Sequence, residues 1–580
     1  MSDKPAAAEA LFEAGQLMEA QAAFWALVRT NPQQPQAWRR LGEIALKLRQ
    51  FGQAYDFFGN AYDFDPDNAD IRLGLGQALV ALGRFGEAIP NLKKASLSKA
   101  TAKEASRCLA QAFQETGQID QAISAWQHHL TMNENDSAAM MALADLLMRR
   151  MRFEEADELL YFVCLLETGN PLPLVMLGNA RLARQDKDSA SALYRQALMI
   201  APGHAPALFN LGNLAMSEDD FDEAARLFAE ARANAPKDVR LANNLAIAFK
   251  EMGRIEDAEE ILREALRANP DFADAHWNLA TLLFLKGRWR EGFQEAEWRW
   301  EMQSFSTPKR DFGCPPWDGK PVEDGILLVH AEQGLGDAFQ FVRYIPKLAA
   351  LASNIVLEAD PKQTPLFQRS FPMVTVVPRG QDLPRAKAHV AMLSLPNFLE
   401  APYAPGAYLN ADPDRVAYWK RRLGQGPWIG LSWQGNPGFH ADRRRSPGLG
   451  PLLPLLDVPG IRLASLQHGV GREQLLRLSE GPLDLGDEDD PAIGGDFDAT
   501  AAIVEALDLV VTSDTAIAHL AGALGKPLWL LLPYIPDWRW QMSGQSSVWY
   551  PKARLFRQPK PGDWTTPVAA IAEGLKGFHV

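Results

Sequence analysis

The chain has 580 residues, too many for one hydrophobic core, so several folded units are expected. Its residues are 47% hydrophobic and 23% charged, which excludes a disordered or fibrous class. A formal charge of −13 argues against nucleic acid or an anionic membrane as the main partner, because both require a cationic face.

Three cysteines, Cys108, Cys164 and Cys314, lie far apart and suggest neither a disulfide framework nor a metal-ligand set. The opening MSDKPAAAEALFEAG carries acidic residues and no long apolar core, so no secretory leader is expected and a cytoplasmic location is. The most apolar stretch, from Leu507 to Ile535, is interrupted by Asp508, Asp514, His519 and Lys526. It reads as a buried strand, helix and strand rather than a membrane span.

The first half repeats with a period of 34. Ala20, Ala54, Ala88, Ala122, Ala156, Ala190, Ala224 and Ala258 share one register, and small residues recur through Ala8, Gly42, Gly76, Gly178 and Gly212. Prolines return at Pro32, Pro66, Pro202, Pro236 and Pro270. Paired helices approach closely only over Gly or Ala, and proline ends the second helix of each pair. Trp38, Leu41, Phe58, Tyr194 and Phe228 occupy the large-residue positions. The spacing of Trp38, Leu41, Gly42, Ala54, Phe58, Ala61 and Pro66 resembles the tetratricopeptide family, with about nine units over residues 1–303. That resemblance implies an all-α superhelix whose concave wall holds a protein or peptide. Asn210, Asn244 and Asn278 share a register there and are candidate acceptor-binding residues, similar to the asparagine ladder of the O-GlcNAc transferases. Asparagine is also common at this position in such repeats generally, so a purely structural role stands beside the ladder.

Phe293, Trp298, Trp300, Phe305, Phe312 and Trp317 then crowd a linker over residues 304–324, which reads as a docking joint. From Gly325 apolar strands alternate with glycine loops and helices. Ile326 to His330 leads into the loop of Gly334, Gly336 and Asp337, and a strand at Ile355 to Glu358 follows. A second series begins at Trp428 to Ser432 and continues through Ile461 to Leu466, Leu507 to Val511 and Pro527 to Leu532. Two Rossmann-like α/β lobes are expected, over 325–412 and 413–580. The Val511 to Pro527 element turns from strand to helix, with Asp514 or Thr515 as cap and the helix N-terminus as a phosphate site.

His330 to Asp337, Trp433 to Pro437, Asp442 to Ser446 and Asp514 to His519 resemble, in order, elements of the heptosyltransferase-like glycosyltransferases of the GT-B fold. Ala441 stands where relatives often carry Asn. Repeats followed by such lobes are similar to bacterial flagellin glycosyltransferases. This implies a nucleotide-sugar donor, possibly a CMP-linked nonulosonic acid such as pseudaminic acid, and flagellin as the acceptor. It also implies an inverting reaction with no metal and no cofactor.

The resemblance makes Asp337 the candidate general base, although a loop aspartate there also serves as a helix cap. Gly334, Gly336, Asn436, Arg443, Arg445, Ser446, Gln467, Asp514, Thr515 and His519 are the candidate donor-binding residues. Among them, an arginine fork and the helix end suit a leaving phosphate. His519 fits a buried structural role equally well, and Asn436 fits turn chemistry before Pro437. The acidic run Asp487 to Asp490 reads as solvated rather than metal-binding, and Trp538 to Trp540 as a loop closing over the donor. Two other readings stand beside the enzyme. One is a non-catalytic adaptor with degenerate nucleotide-binding lobes; the other is a lipopolysaccharide heptosyltransferase, whose membrane glycan acceptor would leave the repeats unexplained.

Overall fold

The computed structural model describes residues 4–439, 441–485 and 496–578. It divides into two compact units, Met1–Ala235 and Pro236–Val580. The first is helical from Lys4–Glu13 to Phe221–Asn234, with helices stacked in pairs at the spacing of the repeat. The small and large positions interlock. A Cβ on Gly42 would stand 2.7 Å from the Phe58 ring, and one on Gly212 only 2.5 Å from Phe228. Any larger residue at these glycines would push the paired helices apart.

The second unit begins with four more helices, Val239–Glu251, Ile255–Ala268, Ala273–Leu285 and Trp289–Ala296. The repeat pattern ends close to the expected 303, but the compact division falls much earlier, after Ala235. The reason is packing. Phe284, Trp289 and Phe293 share one core with the sheets, the Phe284 ring lying 4.4 Å from Trp538 and the Trp289 ring 5.2 Å from Trp549.

Two parallel sheets follow. The first holds β1 (Val322–His330), β2 (Ala352–Ala359), β3 (Thr375–Pro378) and β4 (Ala388–Ala391) in the order β3-β2-β1-β4. The second holds β5 (Trp428–Ser432), β6 (Arg462–Ser465), β7 (Leu483–Asp484), β8 (Leu509–Ser513), β9 (Leu528–Leu532) and β10 (Ala553–Arg557) in the order β10-β9-β8-β5-β6-β7. Strands β8 and β9 are buried throughout without alternation, as strands covered on both faces must be. In each sheet the order reverses once, between β1 and β4 and between β5 and β8. Ligands of such sheets lie off the carboxyl ends of the strands beside that reversal.

The aromatic linker packs along the first sheet. Trp317 is buried and donates its backbone N–H to the His389 carbonyl at 2.8 Å, while Phe312 lies 4.6 Å from the His330 ring. Arg299, in the short turn Glu297–Glu301 after the last repeat, is fully buried. Its guanidinium meets Glu332 at 3.0 Å and Ser394 at 2.7 Å, and Glu332 also accepts the Leu393 N–H at 3.1 Å. Removing the cation leaves a buried carboxylate uncompensated. Arg299→Met should therefore cost about 3–5 kcal/mol, read as a lower thermal midpoint, and adding Glu332→Gln should recover part of it. Equal loss in the single and double variants would contradict the pairing.

Candidate functional site

The two sheets meet at their carboxyl edges through short helices. Helix Leu335–Phe341 follows β1 and packs on helix Ala516–Ala523, which follows β8. The approach is close: a Cβ on Gly336 would come within 2.9 Å of the His519 ring. Only glycine lets the loop after β1 pass there.

Asp337 lies in the first turn of helix Leu335–Phe341, its side chain 18% exposed. One carboxylate oxygen accepts the Gly334 N–H at 2.9 Å, and the other pairs with Arg539. The cap role that its position allowed is thus real, and it leaves the carboxylate at the junction of the sheets. Burial pushes this carboxyl above its ordinary range, while Arg539 and the Gly334 N–H oppose the shift.

Asp514 and His519 are both buried. Burial, with Asp537 nearby, pushes the Asp514 carboxyl up to about 6, against the pull of Arg445 and Arg539. His519 is held well below its usual range by burial and by surrounding arginines, so its ring is neutral. Its Nδ1 shares a hydrogen bond with the Tyr550 hydroxyl at 2.8 Å, and its face stacks on Trp540. Neither Asp514 nor Thr515 caps the helix as the sequence suggests. Thr515 is the N-cap residue but makes no side-chain bond to the first turn, and its hydroxyl lies 3.4 Å from that of Thr512.

Several predicted donor ligands are engaged within the protein. Gln467 is buried, and its Oε1 accepts the N–H groups of Trp433 and Gln434, each at 3.0 Å. Its Nε2 donates to the carbonyls of Gln434 at 3.0 Å and Val470 at 2.8 Å. The amide is saturated, so Gln467 clasps the loops after β5 and β6 instead of reaching a ligand. The Asn436 side chain accepts the Gly438 N–H at 2.9 Å, which is turn chemistry. Ser446 accepts from the Gly435 N–H and bonds Asp442, both at 3.0 Å. Arg445 pairs with Asp442 at 3.1 Å, Arg444 meets Glu251 of the repeats at 3.4 Å, and Arg443 is exposed. The acidic run from Asp487 to Asp490 lies outside the described residues.

The tryptophan turn is also not the lid that the sequence suggests. Trp538, Arg539 and Trp540 are all buried. Sequence reasoning did not single out Arg539, although a lone cation between two tryptophans was a usable signal. Arg343, fully buried, was missed as well, since nothing local marks its partners.

On the repeats the asparagines bond to other asparagines: Asn210 and Asn278 to the preceding repeat, and Asn244 to its chain neighbour. Asn210 donates to Asn179 at 2.7 Å in the first unit, where the Tyr194 hydroxyl also donates to Asn179 at 2.7 Å. In the second unit Asn278 donates to Asn243 at 2.8 Å, and Asn243 reaches Asn244 at 3.5 Å. Asn179 and Asn243 were not foreseen, because they sit off the 34-residue register.

A family model described as the TPR domain of cytochrome c-type biogenesis protein H matches residues 14–140. Tetratricopeptide repeat models match residues 181–248 and 243–297. The helical array consists of tetratricopeptide repeats. The chain is similar to Protein FlbA of Caulobacter vibrioides, 29% identical over 367 residues, which cover 58% of this chain and 61% of FlbA. It thus spans less than two thirds of the length of that relative. Among solved structures, YrrB, a TPR protein with an unusual peptide-binding site, is 20% identical with a TM-score of 0.31 over 32% of this chain and 96% of YrrB. The C-terminal part of a TPR repeat-containing protein from Cytophaga hutchinsonii is 18% identical with a TM-score of 0.35, covering 41% of this chain and 98% of that one. Among the described residues, no helix is long and apolar enough to cross a membrane.

The contact of Gly336 with His519 is open to a direct check. Gly336→Ala forces the two helices apart and should lower stability by about 1–3 kcal/mol in thermal or denaturant unfolding. An unchanged midpoint would show that the joint yields freely.

Proposed function

We propose that the chain is a protein O-glycosyltransferase of the GT-B type. In this reading the tetratricopeptide repeats hold the acceptor protein, and the paired sheets transfer a sugar from a nucleotide donor to its Ser or Thr hydroxyl. The observation that carries the proposal is the meeting of the two carboxyl edges. Asp337 lies in the first turn of the helix after β1, which packs through Gly336 against the helix that opens after Asp514 at the end of β8. A proton acceptor on one sheet and an anion-favouring helix end on the other are the two groups that glycosyl transfer requires.

The chemistry balances as a single displacement. The acceptor oxygen bonds to the anomeric carbon as its proton passes to Asp337. The bond from that carbon to the phosphate oxygen breaks on the opposite face, which inverts the centre. Negative charge then gathers on the departing nucleotide, near the N–H groups of the helix Ala516–Ala523, Thr515 and Arg445. No step calls for a metal or cofactor. A CMP-linked nonulosonic acid as donor and flagellin as acceptor, met in the cytoplasm, rest on the resemblance to flagellin glycosyltransferases.

Intact-mass spectrometry of flagellin from cells carrying the wild-type protein, carrying Asp337→Asn, or lacking the protein tests this reading. Flagellin should be heavier by whole sugar residues only with the wild-type protein, and purified Asp337→Asn should transfer about 10²–10⁴ times more slowly. An identical mass in all three strains would remove flagellin as the acceptor. Undiminished transfer by folded Asp337→Asn would remove the base.

A further inference from the structure

The Trp538 to Trp540 turn touches three parts of the second unit at once. Trp538 packs on the last repeat, its ring 4.4 Å from Phe284 and 6.3 Å from both Trp289 and Phe293. Trp540 stacks on His519 at 5.6 Å and lies 6.0 Å from Tyr550. Between them, Arg539 points to the loop after β1. Its Nη2 pairs with Asp337, its Nε donates to the Gln340 side chain at 2.5 Å, and its Nη1 meets Asp537 at 2.8 Å. Both tryptophans are buried in one shared core, which leaves the guanidinium between them little freedom to turn.

We infer that Arg539 is a positioning residue for the proposed base: it fixes the Asp337 carboxylate at the sheet junction, aimed for an incoming hydroxyl. The inference rests on the glycosyltransferase reading. A base must be unprotonated and aimed before the acceptor hydroxyl arrives. Asp337 has two oxygens; the Gly334 N–H orients one and Arg539 the other, so the carboxylate plane is set from both sides. Burial alone would favour the protonated form, which cannot accept a proton. The cation opposes this. Of the other charged groups facing the pair, Asp537 pushes Asp337 in the same direction as burial and Asp514 faces the guanidinium, while the neutral ring of His519 lies against Gly336. Arg539 is thus the cation that counters both, beside the Gly334 N–H.

The sign of the effect follows. Transfer requires ionised Asp337, so the rate rises with pH through that group's titration. Without Arg539 the carboxyl titrates at higher pH, and the rising limb moves up with it. Rates of the full-length protein with flagellin and a CMP-linked nonulosonic acid, taken across pH for the wild-type protein, Arg539→Met and Arg539→Lys, read this out. Arg539→Met should show a deficit that is largest at low pH and narrows as pH rises. Arg539→Lys, which keeps the charge but not the second bond to Gln340, should keep the limb near its wild-type position at a lower plateau. In an Asp337→Asn background, Arg539→Met should cost no more than about a further twofold, because the two residues act as one unit.

A deficit equal at every pH in folded Arg539→Met, or a full multiplicative loss on top of Asp337→Asn, would overturn the inference and leave the base assignment standing. Full transfer by Asp337→Asn would remove the base and the inference together. Where Arg539→Met fails to fold, Arg539→Gln, which also removes the charge, takes its place: its limb should move up, and an unmoved limb would overturn the inference.

Discussion

A buried guanidinium must satisfy its N–H groups wherever it lies, and that requirement holds the two sheets in register. Arg343, just beyond helix Leu335–Phe341, has no exposed surface. It donates to the carbonyls of Tyr403 at 2.8 Å and Trp549 at 2.7 Å and to the Tyr408 hydroxyl at 3.0 Å, with the Tyr550 ring 4.7 Å away. Tyr403 and Tyr408 belong to its own lobe and Trp549 to the second, so sliding one lobe over the other would take the Trp549 carbonyl away from a charge in the core. Arg539 imposes the same demand from the opposite side, reaching back to Asp337 and Gln340. The two arginines make the junction a fixed distance instead of a loose contact.

That constraint shapes what the site can do. With Gly336 against His519 there is little free space between the helices themselves, and a ligand must lie along their open ends beside the strand reversals. The buried, neutral His519 acts there as a spacer between Tyr550, Trp540 and the loop after β1. Donor phosphate would meet Thr515, Arg445 and the helix N-terminus. Asp442, itself bonded by Ser446, holds that arginine in place.

How much of this the sequence reveals depends on range. The repeats are legible because each glycine and its large partner recur at one spacing and lie close along the chain, as Gly42 and Phe58 do. β1, β5, β8 and β9 are legible from the apolar runs they contain, such as Ile326 to Val329 and Leu528 to Leu532. β3, β4, β7 and β10 are not: β3 ends on Pro378, β7 spans only Leu483–Asp484, and β10 carries Arg554 and Arg557. The loop residues Asn436, Ser446 and Gln467 show the opposite failure, because amide and hydroxyl side chains suited to a ligand suit a tight loop equally well. The arginines that join the lobes were hidden by distance, since Arg343 meets Trp549 across 206 residues and Arg539 meets Asp337 across 202. No local pattern encodes such pairs.

The central claim is that the carboxyl edges of both sheets serve one ligand. Hydrogen–deuterium exchange of the full chain with and without saturating CMP tests it most directly. The account predicts slower exchange of residues 333–337 and 514–519 together, with the repeats of the first unit unchanged. Protection confined to one of the two segments, or to neither, would contradict it.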